Sequence, residues 1–163
     1  MEVEVRKNLF VRPLSSAANG MNKLSFGLNG SYIYTNAKMP LATVTTGSQL
    51  EGAAPWIANF DLSHNFTKGN HSFINTLVFN YVSDKIYTIG TQGYQDIIEQ
   101  GMMTLDFVSQ AKLNKYVSLT LKARNLLNPS YKLSRKANES GEKVVLSDYK
   151  KGINISLGVS CTF

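Results

Sequence analysis

The chain has 163 residues, 43% of them hydrophobic, with 17 Lys and Arg against 11 Asp and Glu for a formal charge of +6. That length is one domain's worth of chain. Its one cysteine excludes an internal disulfide framework. No apolar run approaches the roughly 18 residues of a membrane-spanning helix, although membrane β-strands, which alternate, never produce such a run. The bases are scattered. Only Lys132, Arg135, Lys136 and the pair Lys150 and Lys151 cluster, and a solvated loop accounts for them, so nucleic acid is not an expected partner.

In chain order, residues 2–11 read as a first strand. Val3, Val5, Leu9 and Val11 take one face, and Glu2, Glu4 and Arg6 the other. Lys7 interrupts the apolar face, which a β-bulge or a snorkelling side chain would accommodate. Residues 13–22 are a turn. Residues 24–38 form the second strand, with Leu24, Phe26, Leu28, Tyr32 and Tyr34 on one face and Ser25, Asn29, Ser31 and Thr35 on the other. Such a strand is far longer than the usual five or six residues of a globular sheet.

Residues 40–55 read as a long loop. Residues 56–67 alternate again, placing Trp56, Ala58, Phe60, Leu62 and Phe66 against Asn59, Asp61, Ser63 and Asn65. A tight turn at 68–70 leads into a strand over 71–87, with Phe73, Leu77, Phe79 and Tyr81 on one face. Ile74, Val78 and Val82 make its other face less polar. A loop at 90–101 precedes a strand over 103–113, a short turn at 114–115 and a strand over 117–124. The longest loop, 127–149, leads to a terminal strand over 153–163. There Ile153, Ile155, Leu157, Val159, Cys161 and Phe163 alternate with Asn154, Ser156, Gly158, Ser160 and Thr162.

Seven antiparallel strands are therefore expected, and after the first turn their connections run long, short, long, short, long. Membrane β-barrels show this asymmetry, with short turns at one end and long loops at the other. The aromatic residues near strand ends, Tyr32, Tyr34, Trp56, Phe66, Phe73 and Tyr87, suit interfacial girdles. The expected fold is all-β, an antiparallel up-and-down transmembrane β-barrel segment of about seven strands. Seven strands leave two unpaired edges, so the segment belongs to a larger barrel.

No catalytic constellation emerges, and no enzyme activity, cofactor or metal site is expected. His64 and His71 flank the 68–70 turn and could form a metal pair across it, but no third ligand of suitable type stands near them in the sequence, and two interfacial histidines are the simpler reading. Cys161 falls on an apolar face without a basic neighbour, as a buried or lipid-facing thiol rather than a nucleophile. Asp61 and Asp106 sit on polar faces, either lining a lumen or simply solvated.

The ending Ser156-x-Gly158-x-x-Cys161-x-Phe163 resembles the signal by which the barrel-assembly machinery recognises outer-membrane strands. Five further phrases, in this order, resemble the TonB-dependent outer-membrane receptors: Arg6-Lys7-Asn8-Leu9; Leu50-Glu51-Gly52 with Pro55 and Asn59; Asn80-Tyr81-Val82-Ser83-Asp84-Lys85-Ile86; Leu105-Asp106; and Asn125-Leu126-Leu127-Asn128 with Tyr131.

The resemblance implies that residues 1–163 are the C-terminal part of such a barrel, in the outer membrane of a Gram-negative bacterium, without the plug domain and signal peptide of the complete receptor. It implies TonB-energised uptake of cargo such as iron chelates, haem, cobalamin or glycans. It also implies outer-membrane lipid and the assembly machinery as partners, the latter recruited through Ser156, Gly158, Cys161 and Phe163, and TonB itself engaged only through missing N-terminal regions. By topology, cargo would meet the loops at 41–55, 90–101 and 127–149. The competing expectation is a soluble small β-barrel that encloses a small ligand, its positive charge favouring anions.

Overall fold

The computed structural model describes residues 1–14, 20–36, 49–91, 94–137 and 142–162. The described residues contain eleven strands: β1 (Glu2–Leu14), β2 (Gly20–Tyr32), β3 (Trp56–Lys68), β4 (His71–Val82), β5 (Lys85–Thr88), β6 (Ile97–Glu99), β7 (Met102–Lys112), β8 (Val117–Arg124), β9 (Ser130–Lys136), β10 (Lys143–Lys150) and β11 (Asn154–Cys161). The fold is all-β and antiparallel. Seven strands form one sheet in the order β1-β2-β3-β4-β7-β8-β11, and four form a second in the order β10-β9-β6-β5.

The seven strands read from the sequence are those of the larger sheet, with three corrections. The first strand runs on to Leu14 and is bulged between Asn8 and Phe10. Beyond the bulge the period of two reverses, so Phe10, opposite Leu24, joins the apolar face, while Val11, opposite Lys23, leaves it. The second strand begins at Gly20 and ends at Tyr32 rather than spanning 24–38; residues 37 and 38 lie outside the described residues. The expected strand over 71–87 breaks at 83–84 into β4 and β5.

The larger correction concerns the loops. Residues 90–101 contain β6, and 127–149 contain β9 and most of β10. The basic cluster of Lys132, Arg135, Lys136 and Lys150 therefore sits on paired strands and not on a solvated loop. Residues 49–55 run beside β5, where Gly52 donates its N–H to the Ile86 carbonyl at 2.8 Å. The other part of that expected loop, 41–48, lies outside the described residues.

Register makes the larger sheet two-faced, because residues opposite one another in an antiparallel pair project to the same side. On one face, Leu28, Phe60, Phe79 and Leu105 stand in a row across four strands. Phe107, Ala123 and Ile155 continue the same face over β7, β8 and β11. On the other, Asn29, Asn59, Asn80 and Thr104 form a row joined by side-chain hydrogen bonds from Asn59 to Asn29 at 3.4 Å and from Asn80 to Thr104 at 3.2 Å. Gly27 stands opposite Asp61 on this polar face, where a Cβ would run into the carboxylate.

No second layer covers either face of the larger sheet among the described residues. Only Ala54, Ile86 and Ile89 are buried apolar side chains there, all at the edge of the smaller sheet. On β11, Ile155 is 69% exposed and Leu157 is 70% exposed. The chain exposes 11216 Å², whereas a compact soluble protein of its mass exposes about 8,000 Å².

Candidate functional site

The two sheets are successive storeys of the same strands. β5, β6, β9 and β10 follow or precede β4, β7, β8 and β11, and pair in the same lateral order. Each strand is interrupted at the crossing: at 83–84, 100–101, 125–129 and 151–153. A break in a ladder leaves backbone donors without partners, and buried donors must find others.

Short polar side chains supply them. The Asp106 carboxylate accepts the Asn125 N–H at 2.8 Å, and the Asn125 side-chain amide donates to the Gly152 carbonyl at 2.6 Å. Gly152 returns its N–H to Asn128 Oδ1 at 3.0 Å. On the other side of the crossing, Trp56 donates its N–H to Ser83 Oγ at 3.0 Å, and Gly101 donates to the Asp84 carboxylate. Glu51 Oε1 accepts the Ile89 N–H at 2.7 Å.

Four residues here hold left-handed backbone: Gly52 at φ 75°, Asn125 at φ 59°, Asn128 at φ 44° and Gly152 at φ 84°. Asparagine tolerates this region better than most side chains because its amide bonds locally. Nearly every phrase that carried the receptor resemblance contributes to this junction: Glu51, Gly52, Ser83, Asp84, Ile86, Asp106, Asn125 and Asn128.

Beside the frame lies an open cleft of about 380 Å³, with Thr104, Asp106, Arg124, Asn125, Lys151 and Asn154 in its lining. Arg124 stands opposite Asn154 on the polar face. Neither Arg124 nor Lys151 has an ion pair among the described residues. Lys151 Nζ lies 5.3 Å from the centroid of the Tyr131 ring, a cation–π contact, and Tyr131 packs on Tyr149 with centroids 5.0 Å apart. The Tyr131 hydroxyl donates to Glu99 at 3.2 Å, and Glu99 pairs with Lys85 at 3.2 Å. Burial, followed by the Glu99 carboxylate, raises the Tyr131 phenol above its ordinary value.

The residues singled out in the sequence fall elsewhere or only partly here. Asp106 joins the frame, whereas Asp61 lies two strands away in the same row, opposite Gly27 and Val78. His64 stands opposite Asn75 and bonds Asn22 at 2.8 Å, while His71 stands opposite Lys68. The histidines are thus four residues apart along the hairpin, roughly 13 Å at strand rise, and do not face each other. Among the described residues, no three His, Cys, Asp or Glu side chains gather as a metal site. Ser156 and Gly158 stand opposite Lys122 and Thr120 on the polar face, and Cys161 stands opposite Val117 on the apolar one. Phe163 lies outside the described residues.

The grouping of Arg124, Lys151, Tyr131 and Tyr149 was missed in the sequence, where Arg124 read as one more polar position and Lys151 as part of a solvated pair. The available signal was the strand-breaking character of Asn125, Asn128, Pro129 and Gly152 directly after or before the cations. Comparison with protein-family models, curated proteins and solved structures finds no match to this chain.

Proposed function

We propose that this chain is part of an outer-membrane β-barrel of the TonB-dependent receptor kind, serving uptake of a scarce solute rather than catalysis. The observation that carries this reading is the single-layered sheet with one apolar and one polar face. A face of Leu, Phe, Val and Ile across seven strands costs too much in water to stay uncovered, at about 25 cal/mol per Å² of apolar surface. Lipid would cover it without a second protein layer, and the polar face would line the lumen.

Strand length agrees with a crossing. β1, β2 and β3 each have 13 residues, about 44 Å at strand rise. Tilted by about 40°, they span roughly 34 Å, more than the ~25 Å apolar band of such barrels. The smaller sheet then extends four strands beyond the bilayer on the side of the long connections.

Parity adds a constraint. Every neighbouring pair in the seven-stranded sheet is antiparallel, so its outer strands β1 and β11 run in the same direction. An all-antiparallel barrel can include this sheet only with an odd number of further strands. Roughly 15 more would complete a barrel of the 22-stranded transporter type. The uptake cargo, the TonB partnership and the role of Ser156, Gly158, Cys161 and Phe163 in assembly follow from the resemblance and belong to the same proposal.

A soluble ligand-binding barrel requires its apolar faces to turn inward on one another. Fractionation of cells expressing the chain, followed by circular dichroism with and without detergent, separates the readings. The barrel reading expects β-structure only in detergent or lipid. A monomer that gives the β-spectrum in plain buffer and unfolds cooperatively there overturns it.

A further inference from the structure

We propose that the cleft at the junction is a subsite for an organic carboxylate carried on a ring, held by Arg124 and Lys151 in the cleft at its acid group and, beyond the cleft's lining, by the neighbouring Tyr131–Tyr149 pair at its ring face. This rests on the reading that the polar face lines a solvent-filled lumen.

Three features point to an anion. Arg124 and Lys151 line one open cleft of about 380 Å³, and neither has an ion pair among the described residues. The lining holds two cations, Arg124 and Lys151, against one carboxylate, Asp106, so the cleft keeps an excess of positive charge. Arg124 offers a planar fork that matches a carboxylate, and Lys151 adds a second, point-like charge. Inorganic anions would be satisfied by these two groups alone.

The tyrosines make the site more selective. Lys151 Nζ sits 5.3 Å from the Tyr131 centroid, and Tyr149 packs 5.0 Å from Tyr131 at an interplanar angle of 41°. A ligand whose acid group meets Lys151 therefore has an aromatic surface next to it, on which a flat ring or the apolar face of a sugar can lie. The hydroxyl of Tyr131 is tied to Glu99 and through it to Lys85, which fixes the ring in place before a ligand arrives. Asn125 and Gly152 both line the cleft with left-handed backbone, and at Asn125 this is strained backbone of the kind that gathers at ligand clamps.

The test titrates the full chain with benzoate, glucuronate and acetate, following binding by isothermal titration calorimetry. It is run in whichever medium, detergent or plain buffer, gives the β-spectrum. The medium then reports on the barrel reading and the titration on the cleft. Benzoate or glucuronate should bind at least tenfold more tightly than acetate, and whichever binds more tightly identifies the ring as aromatic or sugar. Arg124→Gln and Lys151→Gln should each weaken that binding tenfold or more. Tyr149→Leu should bring the ring acid down to the level of acetate. Lys122→Gln, on the same polar face but outside the cleft, should leave it unchanged. If Arg124→Gln fails to fold, Lys151→Gln carries the charge test. The proposal is overturned if neither ring acid binds, if acetate binds equally well, or if the glutamine variant bearing the test binds like the wild type.

Discussion

The Asp106 carboxylate accepts the backbone N–H of Asn125 at 2.8 Å, tying the middle of β7 to the residue directly after β8. Asn125 has a left-handed backbone there, at φ 59°, so its N–H has left the strand ladder and would otherwise lack a partner. Leu126 donates to the Leu105 carbonyl at 2.8 Å beside it, and together these bonds turn the chain from one sheet into the next.

Asp106→Ala should therefore destabilise the sheet by about 1–3 kcal/mol, the usual range for removing a charged acceptor from a half-buried donor. Asp106→Asn keeps an acceptor and should restore most of that loss. Urea unfolding in the medium that supports the β-spectrum checks both. Equal stability of the wild type and the alanine variant would show that the bond contributes nothing.

Asn125 tests backbone strain separately. Asn125→Ala keeps a Cβ in the left-handed region without the amide that offsets its cost and loses the 2.6 Å bond to the Gly152 carbonyl, whereas Asn125→Gly loses that bond but removes the Cβ. The alanine variant should be the less stable by roughly 1–2 kcal/mol, measured by the same unfolding. A glycine variant no more stable than alanine would mean that the φ of 59° costs nothing here.

Val78 and Phe79 are adjacent but face opposite ways. Val78 lies between Asp61 and Asp106 on the polar face, and Phe79 between Phe60 and Leu105 on the apolar one. In lipid vesicles, Phe79→Lys should cost ~2–4 kcal/mol. Val78→Lys, flanked by two carboxylates, should cost little. Folding yield read from heat-modifiable mobility ranks the two, and an equal or reversed ranking contradicts lipid contact on the apolar face.

Under the proposed function, removing Phe163 should lower the amount of protein reaching the outer membrane, because the assembly signal would lose its aromatic end. Immunoblots of membrane fractions measure this. Normal levels of the deletion would remove Phe163 from that role.

The raised phenol of Tyr131 gives a pH dependence with a definite sign. A folded-state value above the ordinary value of 10.0 favours the neutral form in the fold. The associated stability is fully present below pH 10 and is lost as pH rises through the folded value. Thermal unfolding should show this decline above about pH 10, and Tyr131→Phe should flatten it. An unchanged slope in that variant would remove Tyr131 as the cause.

The sequence alone determined the seven long strands and most of their faces, because a period of two is a local property readable residue by residue. It also carried a warning at Lys7, which stays in the apolar row opposite Phe26 while the bulge between Asn8 and Phe10 reverses the faces only after it. The smaller sheet escaped notice because β6 has only three residues, and because register shifts at Tyr87 and Leu146 break the alternation of β5 and β10. Which residues meet at the junction could not be read in advance. Asp106 and Asn125 are 19 residues apart, and Asn125 and Gly152 are 27 apart. Only tertiary structure decided that they share one frame, since the pairing of distant strands sets which side chains meet where the ladders break. Strand identity is written in neighbouring residues, whereas a cleft between sheets depends on register summed over several strand pairs.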